Sequence, residues 1–477
     1  MRLRALGGLA AIVYAGCAST AETLPPLGQV LLYVDTDAPV PAAPGKTLSV
    51  DEPAGLFDTL SIEVFEPGAT TPCTGCTREF AVDVDKLKGG LSLGIPARPG
   101  VAGYRVRARL FQAAWVTRCS PEGESTGLHP RPEVTLTMHA ALPAVGADGI
   151  VERSVFLGVD SLGAAQGTLD APVETLAGRP ESSKVGSWAG ARRVPCNGAP
   201  RADEVCVPGG AFWMGHPRLR TDCGSTESSA FLVPRLVVLS PFFLQKTEVN
   251  VAAYRAAGPV PSTEVVRFSG DYRASGAGGI PNARCTYTDA PGPHESAPVN
   301  CVVWPQADAF CKKRGGSLPA EAQFEFVAGA LTSRYRVWGD DEPTCEDSVW
   351  GRPWGAVAPD SPCAKSYLLE SGPRPVDSAE PGLHRRLDRF ELPTGTVFDL
   401  MGNLMEFQAD TYAGPNDPCW SGTGILRDPL CVSASTASRS ARGSSWQWPA
   451  GVAAGRSGLP VREWFTSTGF RCARPGI

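Results

Sequence analysis

Fifteen cysteines in 477 residues constrain this chain more than any other feature. Such a count suits an oxidised, disulfide-stapled protein and not an ordinary reduced cytosolic one. Glycine and proline, at 53 and 44 residues, make up about a fifth of the chain. That points to short elements joined by many loops and excludes a helical bundle. With 43% hydrophobic and 19% charged residues the chain can bury a core, so wholesale disorder is excluded, and its length allows two or three domains. The formal net charge is −5 and no basic run reaches five residues, so there is no electrostatic footprint for nucleic acid.

The N-terminus points to a compartment that permits disulfides. Arg2 and Arg4 precede a small apolar stretch, Ala5 to Gly16, which is too short to span a bilayer. It ends at Tyr14-Ala15-Gly16-Cys17 and resembles a bacterial lipoprotein signal, in which the cysteine becomes the lipid-bearing first residue. A plain secretory signal cut near Ala15 or Ala18 is the alternative, and both readings export the chain. Ala18 and Ser19, with no Asp, favour sorting to the outer membrane, so the expected membrane contact is the lipid anchor alone. Lipidation of Cys17 leaves fourteen cysteines, an even number suited to bridges.

Residues 18–28 read as a tether. Over 29–169, apolar residues alternate with polar ones, as in Leu60, Ile62 and Val64, then Tyr104, Val106, Ala108 and Leu110, then Val134, Leu136 and Met138. This period buries one face of a strand and wets the other, which predicts an antiparallel β-sandwich. Arg105, Arg107, Arg109 and His139 then lie on the wet face. Residues 170–205 read as a linker, rich in Gly, Pro, Ser and Ala. Nine of the eleven tryptophans lie from Trp213 onward, so a second domain is expected over 206–477. Within it, Asn250 and Gly258 bracket a helix from Val251. Pro305 and Gly315-Gly316 bracket another that carries Trp304, Ala307 and Cys311, and a third runs from Pro319 to Phe326.

Six segments of this second region come in a recognisable order. They are Val207 to Gly215, Glu248-Val249-Asn250, Pro298 to Phe326, Asp399 to Phe407, Arg442 to Trp446, and Gly469 to Ala473. Together, over about 207–474, they resemble the formylglycine-generating (sulfatase-modifying factor) enzyme family. The resemblance implies an α+β fold related to C-type lectins, with little regular structure and long loops. It also implies a Cys311–Cys472 bridge. Family enzymes oxidise a cysteine of exported sulfatases to formylglycine, using copper held by two cysteines four residues apart. That pair belongs between the Arg442 segment and Gly469. Here the stretch from Trp446 to Thr468 contains no cysteine, and Met405 replaces a tryptophan of the family's Gly-Asn-x-Trp-Glu-Trp. Cu(I) prefers soft thiolates, so no copper is expected. The five histidines, His129, His139, His216, His294 and His384, form no HxxxH or HExxH pair.

The family's calcium site is retained in outline at Asp399, Gly402, Leu404 and Glu406, two carboxylates with carbonyls between them. The alternative is that both carboxylates only bond a tight turn. A second family calcium site is degraded, with Ser348 in place of Asn. Arg456 and Ser457 match the family's Arg-Ser pair. With Trp446, Trp448, Trp464 and Arg462 they mark the expected binding surface, core packing being the alternative for the tryptophans.

Spacing suggests the short-range pairs Cys196–Cys206, Cys285–Cys301, Cys345–Cys363 and Cys419–Cys431. Cys73, Cys76, Cys119 and Cys223 remain, which predicts one bridge between the two regions with Cys223 as its acceptor. Cys73-Thr-Gly-Cys76 lacks the βαβ context of a thioredoxin motif and reads as structural. The expected function is a lipid-anchored envelope module that binds or scaffolds a protein or glycan. An active formylglycine-generating oxidase and a purely structural envelope protein are the alternatives.

Overall fold

A computed structural model describes residues 28–477, apart from 97, 118–128, 148, 220–233, 259–284, 289, 353–362, 364–371, 377–385, 415–416, 423 and 435–436. The lipoprotein signal with Cys17, and also Cys119, Cys223 and His384, lie outside the described residues.

Two sheets form the N-terminal sandwich. The first runs, in spatial order, Leu176–Ala177, Ile150–Leu157, Gln29–Thr36, Ser92–Pro96. The second runs Val173–Glu174, Leu136–Ala141, Arg105–Phe111, Thr59–Phe65, Thr77–Ala81. The alternating residues behave as their period demands: Leu60, Ile62, Val106, Ala108, Leu110 and Leu136 meet Val30 and Leu32 across the gap.

Three features differ from the sequence expectation. The sandwich is not wholly antiparallel. Gln29–Thr36 pairs parallel with Ile150–Leu157, as does Val173–Glu174 with Leu136–Ala141. A parallel pair needs a long crossover, and most of the second sheet lies in the chain between those first two strands. The outer face around the arginines is covered rather than wet, with Ser61 0% and Glu63 6% exposed. Glu63 takes ion pairs from Arg107 and Arg109, while Arg105 donates to the carbonyls of Glu66, Ala69 and Leu169. Burial and then the Arg107 charge push the His139 imidazole down.

The third difference concerns 170–205, which is not a free linker. It supplies an edge strand to each sheet, and Val185, Trp188 and Ala191 enter the sandwich core. Its composition hid this because two-residue strands carry no readable period.

The C-terminal region is built from small sheets. Glu204–Val207, Phe242–Gln245 and Ala473–Pro475 form one, and Gly210–Met214, Arg235–Leu239 and Leu426–Arg427 a second. Arg456–Pro460, Ser438–Arg442, Met405–Thr411 and Thr468–Gly469 form the third. Helices at Val251–Ala256, Trp304–Lys313 and Glu321–Ala328 pack among them. Asn250 Oδ1 caps the first by accepting from the Ala253 amide at 2.8 Å. In the other two, Gln306 and Gln323 reach back to the amides of Val303 and Ala320.

The five disulfides expected by spacing and by resemblance are all joined, and Cys73 pairs with Cys76. The two regions share one core. Trp213 of the C-terminal region is 1% exposed and packs with Ala211 and Leu236 into the sandwich cluster. Its Nε1 donates to the Leu56 carbonyl at 2.7 Å, and its ring meets Phe57 edge-on with centroids 5.6 Å apart. Trp213→Ala is therefore expected to cost about 3–5 kcal/mol. Urea denaturation should show a single transition in the parent splitting into two in the variant, one for each region.

Candidate functional site

Two buried ionic clusters flank the stretch where the family pair of cysteines would stand. The first begins with strand register. Arg442 lies directly opposite Arg456 on neighbouring antiparallel strands, so two guanidinium groups emerge side by side. They converge on Glu321, in the first turn of the Glu321–Ala328 helix. Glu321 accepts from Arg456 Nε at 2.8 Å and Arg442 Nε at 3.1 Å. One helical turn later, Glu325 pairs with Arg442 Nη1 at 2.8 Å. Asp410 accepts from the amides of Glu321 and Cys431 at 2.7 and 2.8 Å. Arg456 also donates to the Ala413 carbonyl and lies 4.6 Å from the Tyr412 ring centroid.

These groups are almost wholly buried. Burial pushes the Glu321 carboxyl up, but Arg442 and Arg456 outweigh it and hold the group low. Asp410 has weaker compensation, and burial followed by the Glu321 charge pushes it up to about 7.

The second cluster surrounds Arg471. Its Nε and Nη2 grip both oxygens of Glu406 at 2.7 and 2.6 Å. Asp399, at a positive φ of 58°, offers its carbonyl to Nη2 at 3.2 Å, and Glu248 accepts from the Leu404 amide. Asp388 accepts from the amides of Leu400 and Met401 and from the Ser348 hydroxyl. Burial and then the Asp399 charge push Asp388 up to about 7. Glu406 is raised by burial and, beyond the opposing Arg471, by Asp399. The cluster thus buries four carboxyls, none more than 2% exposed, and three of them, Glu406, Glu248 and Asp399, act on the Arg471 guanidinium.

Of the expected calcium set, Asp399 and Glu406 are buried close enough to feel each other's charge. Gly402 is packed so tightly on Ser348 and Val349 that a Cβ would stand 2.4 Å from the Ser348 hydroxyl. Leu404 is buried beside them. The hard oxygen donors and the excess of carboxyls fit calcium chemically. Glu248 and Asp388 were not recognised from sequence as members of this cluster. Glu248 lies inside a quoted segment and Asp388 follows a stretch with no motif, so only the fold brings them in.

The expected binding surface is corrected in part. Arg456 is consumed by Glu321, and Trp446 is 0% exposed with its Nε1 donating to the Thr466 carbonyl. Ser457 and Trp464 are half-buried, while Arg462 is exposed. Trp448 is 55% exposed and is anchored through its carbonyl, which accepts from Gly351.

Among the described residues the histidines do not gather. His216 meets the Tyr335 ring at a tilt of 53°, and burial pushes it down to about 4, so it is neutral near pH 7. His294 is buried elsewhere. Among the described residues one group has the proximity of a metal site, Asp417, Cys419 and Cys431, and its two sulfurs form a disulfide.

Residues 192–475 match the sulfatase-modifying factor enzyme 1-like domain family. A curated relative from Mus musculus, named inactive C-alpha-formylglycine-generating enzyme 2, is 31% identical over 120 residues, covering 24% of this chain and 32% of that protein. The chain thus spans about a third of the length of that relative. Among solved structures, PvdO from Pseudomonas aeruginosa is 20% identical over 59% of this chain and 98% of its own, with a TM-score of 0.40. Treponema denticola variable protein 1 is 18% identical over 52% and 90% respectively, with a TM-score of 0.35.

The clusters make stability depend on pH in a definite direction. Asp388 and Asp410 have folded values of about 7 against an ordinary 3.8. Between those values the folded chain holds protons that the unfolded chain releases, so stability falls as pH rises through the window. Thermal melts with calcium chelated should decline from about pH 4 to about pH 7 and level off above it. Asp410→Asn should flatten that slope.

Proposed function

The chain belongs to the sulfatase-modifying factor enzyme 1-like family, and on that premise we propose that it is an exported, lipid-anchored envelope protein whose family domain binds or scaffolds rather than oxidises. One observation carries this reading. The stretch from Trp446 to Thr468 has no cysteine, and all twelve described cysteines are paired in disulfides. A thiolate copper centre needs free sulfur at the site, and a bridged sulfur is neither a thiolate nor a ready ligand. The mouse relative carries the word inactive in its name, which agrees with the reading without deciding it. Arg456 agrees with this reading, because its buried guanidinium is engaged by Glu321 and the Ala413 carbonyl.

The binding role rests on what remains open. Trp448 stands on a turn that Ser444 ties to the Pro449 carbonyl at 2.6 Å. Gly351, whose amide donates to the Trp448 carbonyl, lies in sequence between Cys345 and Cys363, which are bridged. An exposed aromatic on a rigid frame suits a protein or glycan ligand. Anchorage through Cys17 at the outer membrane would present this surface in the envelope.

The purified chain, supplied with Cu(I) and oxygen, should leave a sulfatase-type cysteine peptide unchanged in mass and retain no stoichiometric copper. Copper-dependent conversion of the peptide would establish the oxidase instead.

Calcium is the ion we assign to the Arg471 cluster, held by Asp399 and Glu406 with the Gly402 and Leu404 carbonyls, and its role there is to balance buried negative charge. Calcium should raise the melting temperature and a chelator should lower it, because a ligand of the folded state alone stabilises by mass action. Asp399→Asn removes one charge and keeps a residue tolerant of positive φ, so it should abolish that dependence. Melting temperatures indifferent to calcium in the parent chain would remove the site.

A further inference from the structure

The Cys73–Cys76 pair lies outside the family domain and packs, half-buried, against the sandwich core, and its setting differs from every other described bridge. It lies at the turn joining Thr59–Phe65 to Thr77–Ala81, the outermost pair of the second sheet. The Cys76 amide donates to the Cys73 carbonyl at 2.9 Å, and Gly75 has a φ of 71°, as the third position of a type II turn requires. Thr74 and Gly75 are exposed and both cysteines are half-buried. Arg78 reaches back over the turn. Its Nη1 donates to the carbonyls of Gly75 and Thr77 at 2.7 and 2.9 Å, on either side of Cys76.

We propose that Cys73–Cys76 is a site of thiol–disulfide exchange, open to an external dithiol while the rest of the protein stays folded and oxidised.

Three physical points support this. The bridge spans a separation of 3 residues, against 10 to 161 for the others, so it restricts the unfolded chain least and contributes least to stability. The hairpin does not depend on it. Val64 bonds both cysteines through backbone, its carbonyl accepting from Cys73 at 3.0 Å and its amide donating to Cys76 at 3.2 Å. The other bridges are shielded. Each contains a cysteine at most 6% exposed, except Cys196–Cys206, where Gly476 closes over the Cys196 sulfur. Finally, Arg78 holds its guanidinium on the backbone at both sides of Cys76, and a cation near that residue favours its sulfur as the thiolate, the form in which it leaves when Cys73 is attacked.

The exchange balances without a further reagent. One thiolate of the dithiol attacks Cys73, the Cys73–Cys76 bond breaks, and a mixed disulfide forms as Cys76 takes a proton. The second thiol of the dithiol then closes on the first and releases Cys73 as a thiol. Two electrons and two protons pass to the protein, and the dithiol becomes a disulfide. A dithiol–disulfide oxidoreductase is the class of partner this chemistry fits.

The test is a graded native reduction of the full chain with dithiothreitol, acid quench, alkylation and peptide mapping, with near-ultraviolet circular dichroism recorded in parallel. Cys73 and Cys76 should become alkylated at a reductant concentration at least about tenfold below that needed for Cys196 and Cys206, with the spectrum unchanged. Arg78→Gln should slow the reduction several-fold, and 1 M salt should do so in the parent but not in the variant. A Cys73→Ser/Cys76→Ser double variant should fold and melt close to the parent. Opening of the pair only together with the other bridges, or only with loss of the spectrum, would make it a structural clasp and overturn the proposal. So would a parent and Arg78→Gln that reduce at the same rate.

Discussion

Arg471 ties three distant segments to its own with a single side chain. Its guanidinium grips the Glu406 carboxylate and donates to the carbonyls of Gln245, Lys246, Phe398 and Asp399. The next residue adds two more ties, a pair of hydrogen bonds with Gln245, whose Oε1 accepts from the Cys472 amide and whose amide donates to the Cys472 carbonyl, and the long disulfide to Cys311 in the Trp304–Lys313 helix. A buried pair of this kind is weak evidence of net stabilisation, because desolvation offsets much of the attraction. Breaking it is another matter, since removing one partner strands a buried charge at a cost of about 3–5 kcal/mol. The chain-entropy value of a loop of 161 residues is similar, at about 5 kcal/mol. The low content of regular structure is thus held by a few long-range ties rather than by helix or sheet cooperativity.

Both ionic clusters draw on one strand, Met405–Thr411. Glu406, Gln408 and Asp410 alternate along it and are all fully buried. Glu406 meets Arg471, while Asp410 meets the amide of Glu321, whose carboxylate holds Arg442 and Arg456. Between them Phe407 and Ala409 face the cluster containing Phe310 and Phe470. The strand therefore has a polar face and an apolar face, and both are largely buried, only Met405 and Ala409 being partly exposed. Alternation along a strand normally separates solvent from core, but here it separates two kinds of interior.

That explains where the sequence was legible. Strands packed against a single apolar core, such as Leu60 to Val64, could be located from their period. Helix ends at Asn250 and Gly258 were visible because capping is local chemistry. Short-range disulfides such as Cys196–Cys206 followed from spacing, and Cys311–Cys472 from ordered family segments. What escaped was interior polarity. Arg456 and Trp446 were assigned to a surface because charge and large aromatics read as exposed, yet Glu321 lies 135 residues from Arg456 in sequence. The face carrying Arg105, Arg107, Arg109 and His139 was placed in water because the groups that engage it, Glu63 and the carbonyls of Glu66, Ala69 and Leu169, lie elsewhere in the chain. Residues 170–205 passed for a linker because one-face burial in two-residue strands leaves no pattern. In each case the missing information was a partner distant along the chain.

The late position of these ties has a consequence for biosynthesis. Thr468–Gly469 completes one sheet and Ala473–Pro475 completes another, with the hub guanidinium and one half of the longest bridge between them. A chain emerging N-terminus first can assemble most of the sandwich early, but the family domain has to wait, with Cys311 reduced and its sheets open. Closure of the family domain then depends on these residues. A product truncated before Arg471 leaves Glu406 without its cation and the edge of Phe242–Gln245 uncovered. Proteases would distinguish such a chain from a finished one without any dedicated recognition signal.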